Sequence, residues 1–351
     1  MNKIVKCICM IAVVALAFTS CKKNNDEDQA QSCMGYTEQF MSVDEGLEKV
    51  YLDENNMIYF EEKDTILVYN IDQNTSPENL RSQAAFYRAK SSGNSVSFGR
   101  LKVAPGGYEN TMNKDMKDAF YAFYPGQNVT FNRHSSTSYM DDNFSTFRLD
   151  ATQEYRNVSG KILVPKRALY MAAKEVPASG SLNDVQFGFR NICGILSMKM
   201  YHGSGEVYVK SIAIRDRAFN LVGDVYLKIN AIDPDELTSL LQNYDYTNPS
   251  YVAWLNQYKD EIGYMVTNAG RTVTLNCGAD GVKLGKNQSN ASRFLVVLRP
   301  LALRDGCDIT VTYKIGAEGE WQEAQIHSSI SNTIRPNTIV NATAFDLASY
   351  M

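Results

Sequence analysis

Histidine is scarce in this chain of 351 residues: His134, His202 and His327 are the whole set, far apart, and none has a metal-ligand neighbour at helical or strand spacing. No C-x-x-C pair occurs, so zinc has no sequence signature. A G-x-S-x-G elbow is missing, which removes the usual mark of an esterase of the α/β-hydrolase kind. A formal net charge of -4 leaves no basic face to neutralise nucleic-acid phosphates, so no nucleic-acid partner is expected. There is no βαβ rhythm, which excludes a doubly wound α/β fold. After the N-terminal segment no second long apolar run exists, so the mature chain is expected to be soluble apart from any lipid it carries. Two weaker patterns fall away on inspection. Gly281 to Asn287 has a phosphate-loop look, but three residues separate its glycines and Asn287 stands where Ser or Thr must reach magnesium. The acids Glu61-Glu62, Asp141-Asp142 and Asp235-Glu236 are adjacent pairs, and neighbours on a strand or turn point different ways, unlike the facing carboxylates of a glycosidase. No catalytic constellation survives; the chain is expected not to be an enzyme and to need no cofactor.

What is present begins at the N-terminus. Lys3 and Lys6 precede the apolar run Ile8 to Phe18, and Thr19-Ser20-Cys21 closes it. That order of charged, apolar and small residues is a secretory signal, and the run is too short for a permanent transmembrane helix. A cysteine directly after the small residues makes it a lipoprotein signal covering residues 1–20, cut between Ser20 and Cys21, with Cys21 taking lipid. Phe18, third before Cys21, departs from the usual Leu. Several acyl chains, at roughly 0.8 kcal/mol per buried methylene, would hold the chain to the membrane. Residues 21–32 then carry no apolar side chain larger than Ala30, the composition of a disordered tether. Its acids Asp26-Glu27-Asp28 are either an export signal to the outer leaflet or a solvated charge run.

Cys33, Cys193, Cys277 and Cys307 remain after processing. An exported location permits disulfides. The apolar or strand-like settings of the last three favour buried free thiols, and spacing does not decide between the two states. The rest reads as β-structure: short runs rich in Val, Ile, Tyr, Phe and Thr, separated by Gly, Asn, Asp and Pro. Clear runs are Thr65 to Ile71, Phe120 to Tyr124, Val185 to Phe189, Ile195 to Tyr201, Val207 to Ile214, Thr272 to Leu275, Phe294 to Leu298 and Ile309 to Ile315. Alternation with one polar face implies antiparallel sheets packed face to face. In the Val207 run the alternation drifts at Ile212. Two helical starts stand apart, at Asp233-Pro234 and Asn248-Pro249. Tyr251, Trp254, Leu255 and Tyr258 then fall on one helical stripe, either core or a candidate ligand surface formed by Tyr251, Trp254 and Tyr258.

Several segments, in order, resemble the fimbrillin-like family, the type V pilin subunits and related surface lipoproteins. Tyr51 to Asn70 is similar to the family's opening, with Phe60 before the D-x-I-x-V strand of Asp64, Ile66 and Val68. Phe120 to Gly126 resembles its "yAfYP" strand, and Leu149 to Tyr155 its "LPatQ-x-Y" element with Asp150 in place of Pro. Phe187 to Leu196, Val209 to Asp224, Leu275 to Leu284, Phe294 to Pro300 and Ile334 to Val340 complete the order. The resemblance implies an all-β chain of two transthyretin-like antiparallel β-sandwich domains, at 33–165 and 181–351, with a helical insertion at 232–263 in the second. It implies a lipid-anchored, surface-exposed outer-membrane protein that joins other fimbrial subunits by strand addition, as a structural or adhesive subunit. In such relatives an arginine-specific protease removes the first strand; here no arginine lies between Cys21 and Leu80. The expectation is therefore a chain that keeps its first strand and its lipid and acts as an anchor or cap, or one that is processed at a lysine such as Lys49. The rival reading is a stand-alone surface lipoprotein that binds glycan or host protein.

Overall fold

The computed structural model describes residues 27–37, 41–43, 58–71, 84–102, 119–126, 130–132, 144–158, 160–165, 168–176, 181–217, 220–228, 264–299, 301–303, 306–328, 332–334 and 336–351. The described residues are all-β, with isolated single-turn helices. The helical insertion expected at 232–263 lies outside them.

The chain starts with β1 (Glu27–Thr37), β2 (Met41–Val43), β3 (Thr65–Ile71), β4 (Ala84–Ala89), β5 (Ser95–Leu101) and β6 (Ala119–Tyr124). It continues through β7 (Thr130–Asn132), β8 (Phe144–Leu149), β9 (Thr152–Glu154), β10 (Arg156–Val158), β11 (Lys161–Leu163), β12 (Met171–Glu175) and β13 (Gln186–Asn191). Seven of these close a barrel in the order β1, β13, β12, β6, β3, β4, β5. The closure is made by β1, antiparallel to β5 and parallel to β13. The structure differs here from the tether expected over residues 21–32: Glu27 to Ser32 begin β1. Main-chain hydrogen bonding needs no apolar side chain, so a polar composition did not exclude a strand. Strands from both sides of the boundary expected at 165–181 share this barrel, because β12 and β13 stand between β6 and β1.

The second half comprises β14 (Gly194–Tyr201), β15 (Val207–Asp216), β16 (Val222–Lys228), β17 (Tyr264–Gly270), β18 (Thr272–Asn276), β19 (Val282–Lys283) and β20 (Ser292–Leu298). Then follow β21 (Leu301–Leu303), β22 (Cys307–Ile315), β23 (Gln322–Ser328), β24 (Asn332–Ile334), β25 (Thr338–Asn341) and β26 (Phe345–Asp346). One sheet runs β2, β25, β14, β20, with β26 on β14; another runs β23, β22, β15, β18, β9, with β19 on β15. A third runs β17, β16, β8, β7, and two-stranded ribbons join β10 to β11 and β21 to β24.

Two hydrophobic cores result. The barrel interior is aromatic: Phe60 stands 5.2 Å from Phe98, 5.4 Å from Phe189 and 5.5 Å from Tyr124 between ring centres, all edge to face. The other core is aliphatic, built on Val209, Ile212, Ile214, Leu275 and Val311. The sheet of β14 and β20 lies between them. Ile195, Leu295, Val297 and Ile339 face the barrel core, while Leu196, Phe294, Val296, Leu298 and Val340 face the other. Burial on both faces is why Phe294 to Leu298 is an unbroken apolar run. The drift at Ile212 is also explained. The register slips between Val209 and Ser211, so Lys210 is the extra residue of a β-bulge, and Val207, Val209, Ile212 and Ile214 are all buried.

Candidate functional site

The segments that carry the family resemblance meet pairwise through buried or half-buried polar ties. Asp64, at the head of β3, accepts from the Glu61 N–H at 2.9 Å and from the Tyr124 hydroxyl at 3.0 Å. The turn it holds places Lys63 at a φ of 76°. Burial, and then the neighbouring Asp64 carboxylate, push the Tyr124 phenol above its ordinary range. The end of β6 is thus bound to the start of β3. Gly126 follows cis Pro125, and a Cβ there would stand 2.7 Å from the Ile66 carbonyl carbon, so only glycine lets this corner pack on β3.

Gln153 makes the second tie. Its side chain is buried, its Nε2 donates to the Val297 carbonyl at 2.7 Å, and its Oε1 accepts from the Val297 N–H at 2.9 Å. β20 is the edge of its sheet, and one side-chain amide stands in for the missing neighbour strand. The third tie joins Asn191, Cys193 and Asn337. Asn337, at a φ of 51°, donates its N–H to the Cys193 carbonyl at 3.0 Å and accepts from the Asn191 N–H at 3.2 Å. The Asn191 side chain accepts from the Cys193 N–H at 3.1 Å. These polar residues fasten strands; they do not converge on a reaction centre.

The seam at β1 is the feature most relevant to assembly. Cys33, Gly35 and Thr37 face inward, and Met34 is exposed. A Cβ on Gly35 would come within 2.8 Å of Phe98 and 2.9 Å of Phe189. The strand therefore lies flush against the aromatic core. Sequence periodicity missed it because its inward residues are weak hydrophobes. The cue within it is a glycine on the inward face.

The other candidates scatter. Ser20, Cys21, Tyr251, Trp254 and Tyr258 lie outside the described residues, as do His134, Asp141-Asp142 and Asp235-Glu236. Glu61 and Glu62 are exposed. His202 is buried, and its main-chain N–H donates to the Gly285 carbonyl at 2.9 Å. His327 is exposed, with Nδ1 2.8 Å from Asp308 Oδ1, and Arg217 Nη2 donates to the same oxygen at 2.6 Å. These partners, Arg217 foremost, hold the Asp308 carboxyl down to about 2. Asn287, in the loop that resembles a phosphate cradle, instead caps a single helical turn, accepting from the Asn290 N–H at 3.1 Å. Cys33, Cys193, Cys277 and Cys307 are all free, Cys277 half-buried and the others buried. Burial pushes every one of these thiols up, Cys277 to about 12 and Cys307 to about 11, away from nucleophilic reactivity. A cavity of about 510 Å³ beside β9 is lined by Asp150, Thr152, Gln153, Glu154 and Arg156 among others. Its charges are engaged: Arg148 Nε lies 3.3 Å from Asp150, and Arg156 Nη2 lies 3.6 Å from Glu61. Among the described residues no three His, Cys, Asp or Glu side chains gather as a metal site.

No protein-family model and no curated protein sequence matches the chain. Solved structures are similar to it at low identity. A "putative cell adhesion protein" of Bacteroides ovatus is 10% identical, with 90% of this chain and 92% of that one covered at a TM-score of 0.44. Another of that name, from Bacteroides uniformis, is 16% identical over 82% and 89%, at 0.42. A fimbrial protein of Bacteroides vulgatus is 10% identical over 83% and 90%, at 0.33. The likeness by itself fixes neither activity nor partner.

Proposed function

We propose that this chain is a structural or adhesive subunit of cell-surface fimbriae, without catalytic activity, held in the outer membrane by lipid on Cys21. In this reading two transthyretin-like β-sandwich domains enclose the two cores. The subunit is an anchor or cap that retains its own first strand and joins other fimbrial subunits by strand addition. The observation that carries the proposal is the seating of β1. It pairs on both sides, with β5 and β13, and closes the barrel. No arginine lies between Cys21 and Leu80, and cutting after Arg81 would take β3 as well as β1 out of the closed sheet. Open edges would then face water on β4, β5, β6 and β13. The polar ties of the motif residues suit the same role, since they stiffen a scaffold.

N-terminal sequencing and mass spectrometry of the mature surface protein test this reading. A blocked, lipid-bearing Cys21 supports the anchor or cap. A free N-terminus after an arginine rules it out. Electron microscopy with an antibody to the chain locates it on fimbriae or away from them.

A further inference from the structure

The outer face of the sheet formed by β23, β22, β15 and β19 carries an ordered row of cations and rings. Register builds it: Tyr208 on β15 lies opposite Lys314 on β22 and opposite Lys283 on β19. Trp321 precedes β23, one position beyond the Tyr313–Gln322 pair. Lys283 Nζ stands 6.0 Å from the Tyr208 ring centre, and Lys314 Nζ stands 5.6 Å from Tyr208 and 4.9 Å from Trp321. Lys210, the bulge residue, brings its Nζ to 5.3 Å from Trp321. The indole is seated rather than loose. It lies over Gly281, at a φ of 77°, where a Cβ would stand 3.0 Å from the ring and 2.9 Å from the Val209 carbonyl.

The charges along the row are unequal. Glu206 pairs with Lys283 and accepts from the Tyr208 hydroxyl at 3.1 Å. Lys314 donates to the Ala317 carbonyl, and among the described residues no carboxylate pairs with Lys314 or Lys210. The exposed Glu318 and Glu320 stand in the turn before Trp321 and pair with neither lysine. Two like charges thus share one ring on a chain of net negative charge. An anion bridging the two ammonium groups relieves that repulsion. Neighbouring strands lie about 4.8 Å apart, so successive groups in the row step by about one sugar ring. Aromatic faces meet the apolar face of a pyranose, and the ammonium groups meet its acidic substituents.

We propose that this face binds an acidic polysaccharide, whose sugar rings lie on Trp321 and Tyr208 and whose carboxylate or sulfate groups are met by Lys210 and Lys314. The partner is recognised by charge and ring stacking together. A neutral glycan lacks the first and a nucleic acid lacks the pyranose face.

The test is binding of the detergent-solubilised mature protein to immobilised heparin, with neutral dextran and duplex DNA as comparisons. Heparin is expected to bind, dextran not, and the signal to fall as salt shortens the screening length from about 10 Å at 0.1 M to about 3 Å at 1 M. Lys210→Gln and Lys314→Gln each weaken binding about fivefold, the size of one ionic contact in a watery dielectric. Lys174→Gln, on β12, leaves it unchanged. Trp321→Leu weakens it by a similar factor without changing charge, and Trp321→Tyr restores part of the loss. Melting temperatures equal to that of the parent protein establish that the variants are folded. Absence of heparin binding overturns the proposal. So does equal binding of DNA, an undiminished signal in Trp321→Leu, or an equal loss in Lys174→Gln.

Discussion

Replacing Gln153 by Ala removes one side chain and leaves two main-chain groups without partners. The Val297 N–H and C=O both point off the edge of β20 and both are satisfied only by the Gln153 amide, at 2.9 and 2.7 Å. Val297 and Gln153 are almost wholly buried in the parent protein, at 1% and 3% exposure. A buried group left unpaired costs about 1–3 kcal/mol, which puts Gln153→Ala at about 2–6 kcal/mol for the pair. Urea unfolding of the soluble chain, begun after Cys21, measures this as a lower midpoint at unchanged slope. Gln153→Glu sharpens the test. At neutral pH its carboxylate still accepts from the N–H but cannot donate to the carbonyl, so destabilisation remains. Protonation on acidification restores a donor and recovers part of it. A loss below about 1 kcal/mol in Gln153→Ala would refute the claim that this amide is the edge partner of β20.

Gly35→Ala should cost about 1–3 kcal/mol in the same urea assay, because Phe98 and Phe189 are locked by Phe60 and cannot recede from a new methyl group. Asp308 titrates at about 2 against an ordinary 3.8, so its contribution is complete above the ordinary value and is lost as pH falls towards 2. Asp308→Asn should flatten that part of the stability–pH curve, as read by melting at stepped pH. Cys21→Ala should abolish incorporation of radioactive fatty acid; label persisting in that variant would remove the lipid anchor from the proposal.

Much of the β-structure was legible because its signal is local. Thr65 to Ile71 was readable to the residue, and Phe294 to Leu298 was readable as a strand, though its burial on both faces comes from the structure. β1 was not legible, since Cys33, Gly35 and Thr37 face the core and none looks like a core residue. The drift at Ile212 was visible as an anomaly, but only pairing with β22 identifies it as a bulge. The motif segments were recognisable in order, yet their ties were not. Gln153 and Val297 are 144 positions apart, and periodicity carries nothing about such a pair. The row of Lys283, Tyr208, Lys314 and Trp321 is likewise a product of register. Each residue is an unremarked exposed or half-exposed position until four strands are set side by side.

Ile195 and Leu196 are consecutive residues that belong to different interiors. Each interior therefore borrows a wall from the other, and neither half of the chain is a transferable module. A graft of the barrel together with its β14–β20 wall would leave Leu196, Phe294, Val296 and Leu298 facing water, an apolar surface that invites aggregation. The same wall couples the two interiors mechanically: a substitution on β14 or β20 that shifts the backbone to suit one face disturbs the packing of the other.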